Sequence, residues 1–262
     1  MNLEVLYEDP SVIVVWKPVG LESQSSRGFG ADMVSQIRLH IHKLSPKSGE
    51  PYVGVIHRLD KPVSGIMVYA KEKKAAAALS RQVAEGQMSK KYWAILCGQP
   101  VDNVEKYVDY LLKSEKENVS RIVDKGITGA KRAELICRTL ETRQIEPWGP
   151  LTLAEVELCT GRHHQIRVQM AGHGLPLWGD NRYNPLFGGK IPVAEENAGA
   201  DLRKGQAAGQ AEALTGRPET KRPIRANVAL ASCYLSFTHP ETGKQMEFTR
   251  TPADGMFREF QI

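Results

Sequence analysis

The chain has 262 residues, 41% of them apolar, which is enough to bury a substantial core, and its formal charge of +5 is compatible with a nucleic-acid partner without requiring one. The four cysteines are scattered with no CxxC or other ligand spacing, which argues against a disulfide framework or a zinc centre and favours a reduced, cytoplasmic setting. No basic, then apolar leader opens the sequence, and its longest apolar runs are too short to cross a bilayer, so no membrane partner is expected.

In chain order, "LEVLY" and "VIVVW" are β-prone runs joined by Glu8-Asp9-Pro10-Ser11, which predicts a hairpin ending at Lys17-Pro18. Val34, Ile37, Ile41 and Leu44 recur at helical spacing, with His40 and His42 expected as exposed residues around Ile41. "EKKAAAALSRQVAE" predicts a helix that stops at Gly86. "KKYWAILCG" and "LTLAEVELCTG" read as buried strands. "HHQIRVQMAGHG" reads as a short helix with Ile166 and Met170 on one side and Gly172 and Gly174 at its end. "CYLSF", a "HPETGK" turn and "QMEFTR" predict a late hairpin.

Strands and helices do not alternate at doubly wound spacing, and no glycine-rich phosphate loop occurs. The expected fold class is therefore α+β, a large mixed, mainly antiparallel sheet flanked by helices in a single domain, residues 1–262. The stretch 186–223, rich in Ala, Gly, Glu and Gln, has too little apolar surface to offset its ordering entropy, and predicts a mobile insertion.

Chemistry concentrates at two places. In "VIHRLDKPVSGIMVYAK" a lone acid, Asp60, lies among His57, Arg58 and Lys61, where one β-prone run ends and the next begins. Capping the turn before Pro62 is an ordinary task for such an Asp. The alternative is a reactive carboxylate presented by a loop on a rigid scaffold. The second cluster, "TGRHHQIRVQ", holds Arg162, His163, His164, Gln165 and Arg167. Adjacent histidines with no carboxylate at HExxH spacing do not make a metal site, so they read as phosphate contacts or surface.

"HRLDKPVSGIMVYAK" resembles the catalytic segment of the RluA-type RNA pseudouridine synthases, whose fold and activity are thereby expected. "KKYWAILCG" and "TGRHHQIRV" are similar to two further motifs of that family. "EVLYEDPSVIVVWKPVGL" and "YLSFTHPETGKQMEF" resemble its flanking segments in the same order. The sequence departs from the family where Val63 replaces Thr, Gln169 replaces His, and Leu230-Ala231-Ser232 replaces Leu-His-Ala. Because Leu3 already begins the first motif, no preceding S4-type RNA-binding domain is expected.

The resemblance implies Asp60 as the nucleophile, Arg167 as its cationic partner, and Tyr92 as the ring that stacks on uracil and the base for the C5 proton. It further implies Arg58 in the place of the extruded nucleotide and Leu177 as a wall of the uracil pocket. His57, Arg162 and Gln165 are expected to assist substrate binding. No cofactor and no metal are expected, because the implied reaction is an isomerisation. The implied partner is ribosomal or transfer RNA, bound by a monomer. Whether Asp60 attacks C1′ or C6, or acts at the 2′ carbon, is left open by the residues.

Two other classes compete. A non-catalytic RNA-binding protein has no need of the Asp60, Tyr92 and Arg167 set. A glycoside hydrolase needs a second carboxylate, and none lies near Asp60 in sequence.

Overall fold

The computed structural model describes residues 3–25, 31–46, 49–190 and 226–260. They fall into two compact units: residues 1–91 with 231–252, and residues 92–230 with 253–262.

In the first unit, β1 (Glu4–Glu8) and β2 (Val12–Lys17) form the expected antiparallel hairpin. Asp9 closes its turn by accepting the Ser11 and Val12 N–H groups, each at 2.8 Å. β4 (Ser64–Ala70) runs antiparallel to β2, from Val12↔Ala70 to Lys17↔Gly65, and also pairs with the short β3 (Gly54–Val55). β10 (Leu230–Thr238) pairs with β4 in parallel at Ala231↔Ser64 and Ser232↔Gly65, and with β11 (Gln245–Thr249) in the expected late hairpin.

Every residue of β4 is buried, the pattern of a strand covered on both faces. On one face Val12, Val14, Ile66, Val68, Leu235 and Phe237 share a core with Ala75 and Leu79 of α2 (Lys73–Ala84). That helix ends before Gly86, whose φ of +69° suits glycine, as expected.

Helix α1 (Met33–Leu44) starts with a capping box between Asp32 and Ser35. The stripe read from sequence is buried only in its first half. Val34 and Ile37 are covered, while Leu44 is 65% exposed. His42 is exposed as expected, but His40 is not idle: its Nε2 lies 2.7 Å from Glu8, which also holds Lys71.

The second unit takes in β5 (Ser89–Cys97) from Tyr92 onward, and an antiparallel sheet ordered β9–β8–β6–β7. These strands are β6 (Val104–Ser114), β7 (Val119–Val123), β8 (Lys131–Ile145) and β9 (Gly149–Leu158). β5 and β9 are the two strands foreseen from sequence. Ala133, Leu135 and Cys137 of β8 alternate inward, and Leu111 and Ala133 pack on Val168, Ala171 and Tyr183.

Val168 and Ala171 lie on α3 (Gln165–Gly172), and here the structure corrects the one-sided helix expected. Gln165 through Ala171 are all buried, so α3 has no solvent face. The mixed, mainly antiparallel α+β architecture is the one expected. Of the proposed 186–223 insertion, residues 191–223 lie outside the described residues. Its first residues belong to the fold, since Phe187 is buried and packs edge-on against Trp178 at 4.9 Å.

Candidate active site

Asp60 lies in the link between β3 and β4, half-buried, and buried groups from the end of β2 and the segment after it hold the residues on either side of it. Lys17 has no solvent exposure. Its ammonium donates to the carbonyls of Pro18 (3.0 Å), Leu21 (2.6 Å) and Lys61 (3.2 Å). Burial pushes the Lys17 amine down to about 8, and the Asp60 charge opposes that shift, so the two charges share one electrostatic neighbourhood.

The Lys61 carbonyl also accepts the Gly20 N–H at 2.8 Å. On the other side, Ser23 Oγ donates to the Leu59 carbonyl at 2.8 Å and accepts the Leu59 N–H at 3.0 Å. The buried Tyr69 hydroxyl donates to the Ser23 carbonyl at 3.0 Å. The Asp60 carbonyl itself accepts the Val63 N–H at 3.0 Å and closes the turn through Lys61-Pro62. This part of the loop is therefore rigid at the backbone while Arg58 and Lys61 stay exposed.

His57, expected among the substrate contacts, is buried at the base of the loop, where its Nε2 accepts the Val68 N–H at 3.3 Å. Burial first, and the nearby Lys90 charge second, lower its pKa to about 3, which keeps it a neutral acceptor.

In the second unit, Tyr92 stands on β5 and is 6% exposed. Arg167 on α3 is buried and makes a two-bond pair with Asp180: Nε to Oδ2 and Nη2 to Oδ1, both 2.8 Å. The guanidinium also lies over the Tyr183 ring, 5.4 Å from its centroid. The Tyr183 hydroxyl accepts the Ser120 N–H at 2.8 Å and lies 2.8 Å from His164 Nδ1.

Of the two histidines expected on the surface or on phosphate, His164 is packed inside instead and His163 is half-buried. His164 is the buried N-cap of α3 in left-handed conformation, φ 54°, and stacks on His163 at 3.8 Å. Gln165 closes its own loop: Oε1 accepts from Thr160 Oγ1 and the Arg162 N–H, and Nε2 donates to the Glu134 carbonyl. Arg162 is exposed, with Nε on the Arg132 carbonyl at 2.9 Å. Leu177 is fully buried, and its carbonyl accepts from Asn184 Nδ2 at 2.9 Å.

Sequence reasoning passed over Lys17, Ser23, Asp180 and Tyr183. A lysine closing the apolar run "VIVVW" was a usable signal for the first, because a strand buried on both faces leaves a cation no route to water. Asp180 carried no comparable signal in "GLPLWGD". Among the described residues no three His, Cys, Asp or Glu side chains gather as a ligand set.

Comparison with known proteins gives these groups their context. Residues 11–172 match the sequence model of the RNA pseudouridylate synthase family. The ribosomal large subunit pseudouridine synthase D of Zymomonas mobilis is 31% identical over 94% of this chain and 68% of its own length. The uncharacterized RNA pseudouridine synthase YlyB of Bacillus subtilis is 33% identical over 95% of this chain and 68% of its own. In the solved structure of human RNA pseudouridylate synthase domain containing 1, the same fold recurs at a TM-score of 0.65 and 20% identity, covering 96% of this chain and 84% of that one.

The chain belongs to the RNA pseudouridylate synthase family. It is an isomerase that converts uridine in RNA to pseudouridine, as the resemblance implied. Among the described residues no helix is long and apolar enough to cross a membrane.

Proposed function

We propose that the enzyme isomerises uridines of ribosomal RNA in the cytoplasm, as a monomer, with Asp60 as its nucleophile. The observation that carries the Asp60 assignment is the double clamp on its neighbours. Leu59 is held by Ser23 and Lys61 by Lys17, so the half-buried acid sits on a preorganised backbone. A turn-capping Asp has no use for a buried lysine beneath it. The choice of ribosomal over transfer RNA is supported by the names of curated relatives, several of which are ribosomal large subunit synthases.

In this reading the C1′–N1 bond of the target uridine breaks, uracil turns, and C1′ joins C5. C5 then loses its proton and N1 gains one. Asp60 acts ionised, and pairing with Arg167 favours that form. Tyr92 stacks on the uracil and takes the C5 proton, while Leu177 walls the pocket. A base inside folded RNA must first leave its stack, and Arg58, flat and charged, fills the gap it leaves. Exposed Arg162 contributes phosphate contacts; His57 and Gln165 act on substrate through the loops they hold.

The test is Asp60→Asn, which keeps size and removes the charge. Pseudouridine formation on large-subunit ribosomal RNA should vanish while RNA affinity and fold are retained. Turnover by a clean preparation of the variant would overturn the assignment of Asp60. Chemical mapping of pseudouridine in RNA from cells lacking the gene identifies the RNA; a missing modification in transfer RNA alone would overturn the ribosomal choice.

A further inference from the structure

Every residue of β2 is buried except Trp16, next to its end. Glu4 of β1 is the cross-strand partner of Trp16. The Arg250 guanidinium lies over the indole, 4.5 Å from the ring centroid, and pairs with the Glu4 carboxylate. Trp16 borders a cavity of about 70 Å³. Its other walls are Glu4, Pro18 and Leu21 from the segment after β2, and Met33 and Gln36 from the start of α1. All of these residues belong to the first unit.

Size and lining restrict the occupant. At roughly 10 to 15 Å³ for each water, the cavity has room for about five waters, or for one six-membered ring that displaces them. Trp16, Pro18, Leu21 and Met33 offer apolar surface to the faces of such a ring. At its edge, the Glu4 carboxylate accepts hydrogen bonds, and the Gln36 amide both donates and accepts. Flat faces with a hydrogen-bonding edge are the chemistry of a nucleobase. Unpaired RNA bases are read in this way, stacked on aromatic rings or guanidinium planes and bonded along an edge.

The place in the fold points to the same occupant. The Lys17 ammonium holds the carbonyls of Pro18 and Leu21, which line the cavity, and that of Lys61, which follows Asp60. One buried cation thus ties the cavity wall to the Asp60 loop. The Lys61 side chain is 62% exposed, and its only ion pair, with Glu22 at 3.4 Å, is open to solvent and weak. It is available to the phosphates of a strand whose base enters the cavity.

We propose that this cavity docks one unpaired nucleobase of the substrate RNA, stacked on Trp16 and read at its edge by Glu4 and Gln36. The inference stands on the activity on RNA and on the cavity, whichever group attacks the uridine.

The experiment uses an RNA fragment around the uridine that chemical mapping identifies. Gln36→Phe fills the cavity from a half-exposed position of α1, and Trp16→Leu removes the ring. RNA affinity, single-turnover rate at saturating RNA and urea unfolding are measured for each. Both variants should bind the fragment about tenfold more weakly, the scale of one lost stacked base. The rate at saturation should stay within about twofold of wild type, because the contact is the same in the ground state and the transition state. The slope of affinity against salt should not change, since no phosphate contact is removed. In an abasic scan of the fragment, one position should cost the wild type about tenfold and cost Gln36→Phe nothing further, the coupling of partners in contact.

Wild-type affinity in both variants overturns the inference. So does a scan in which every abasic position costs Gln36→Phe as much as it costs the wild type. Loss of rate at saturation with unchanged affinity would make the cavity a brace for the Asp60 loop, and also overturns it. The four free nucleoside monophosphates are tested as competitors; competition that Gln36→Phe abolishes would assign the cavity to a free nucleotide and overturn the RNA occupant. Should Trp16→Leu not fold, Gln36→Phe and the abasic scan decide alone.

Discussion

Ser23 and Leu59 share a single hydroxyl in both directions: Oγ donates to the Leu59 carbonyl at 2.8 Å and accepts the Leu59 N–H at 3.0 Å. One buried side chain thereby satisfies both backbone groups of the residue before Asp60. Ser23→Ala leaves two buried groups without partners, so stability should fall by about 2 to 3 kcal/mol. Turnover should fall with it, because the loop loses one of its clamps. Urea unfolding and single-turnover kinetics measure the two effects, and an unchanged midpoint would show that Leu59 is held by other means.

Lys17 makes the other clamp titratable. Its folded-state pKa of about 8 lies below the ordinary 10.5. Between those values the unfolded chain keeps a proton that the folded chain releases, so from this group stability rises with pH across the window. Activity should move the opposite way. A neutral amine has two N–H donors for three carbonyls, so the loop loosens and the rate falls above pH 8. Lys17→Met should be slower at neutral pH and lack that alkaline limb. A limb that persists in the variant belongs to another group.

His57 sets the acid side. Its folded pKa of about 3 lies below the ordinary 6.5, so the unfolded chain binds a proton first as pH falls. The stability it contributes is complete above pH 6.5 and is lost progressively toward pH 3, by about 4 kcal/mol at the limit. His57→Gln keeps an acceptor for the Val68 N–H and removes the titration. Its acid-unfolding curve should flatten between pH 6 and 3, a range set by those two values. An identical acid limb in both proteins would locate the titration elsewhere.

Gly65 joins β4 to β10 at closest approach. Its φ is +143°, and a Cβ would lie 2.5 Å from both Cβ and N of Ser232. Gly65→Ala must either strain the backbone or part the parallel pairing, at a cost above about 3 kcal/mol. A thermal midpoint within a degree or two of wild type would mean that the two strands shift freely there.

Much of this architecture was legible because local and tertiary preferences agree. The "VIVVW" run, the "EKKAAAALSRQVAE" helix and the "HPETGK" turn each fall where their residues predicted. The strands β6, β7 and β8 were not foreseen. β8 reads "KRAELICRTLETRQI", full of helix formers, and is held extended by its pairings on both sides, a tertiary effect. Of the proposed reacting residues, Asp60, Tyr92 and Arg167 were visible through motif order, whereas the buried partner of Arg167, Asp180, was not. An acid that satisfies a buried arginine acquires its meaning only from the partner that folding brings to it. The two histidines show the converse, since polarity suggested surface and the Tyr183 contact took one of them inside.

The clamps on the Asp60 loop come from far upstream, 36 residues away for Ser23 and 44 for Lys17. A segment made earlier in synthesis therefore governs the later-made acid. Loss of residues 17–25 would leave every group of the proposed chemistry in the chain, yet the acid would have no fixed place. Proteolytic removal of that segment would silence this enzyme without touching a reacting atom.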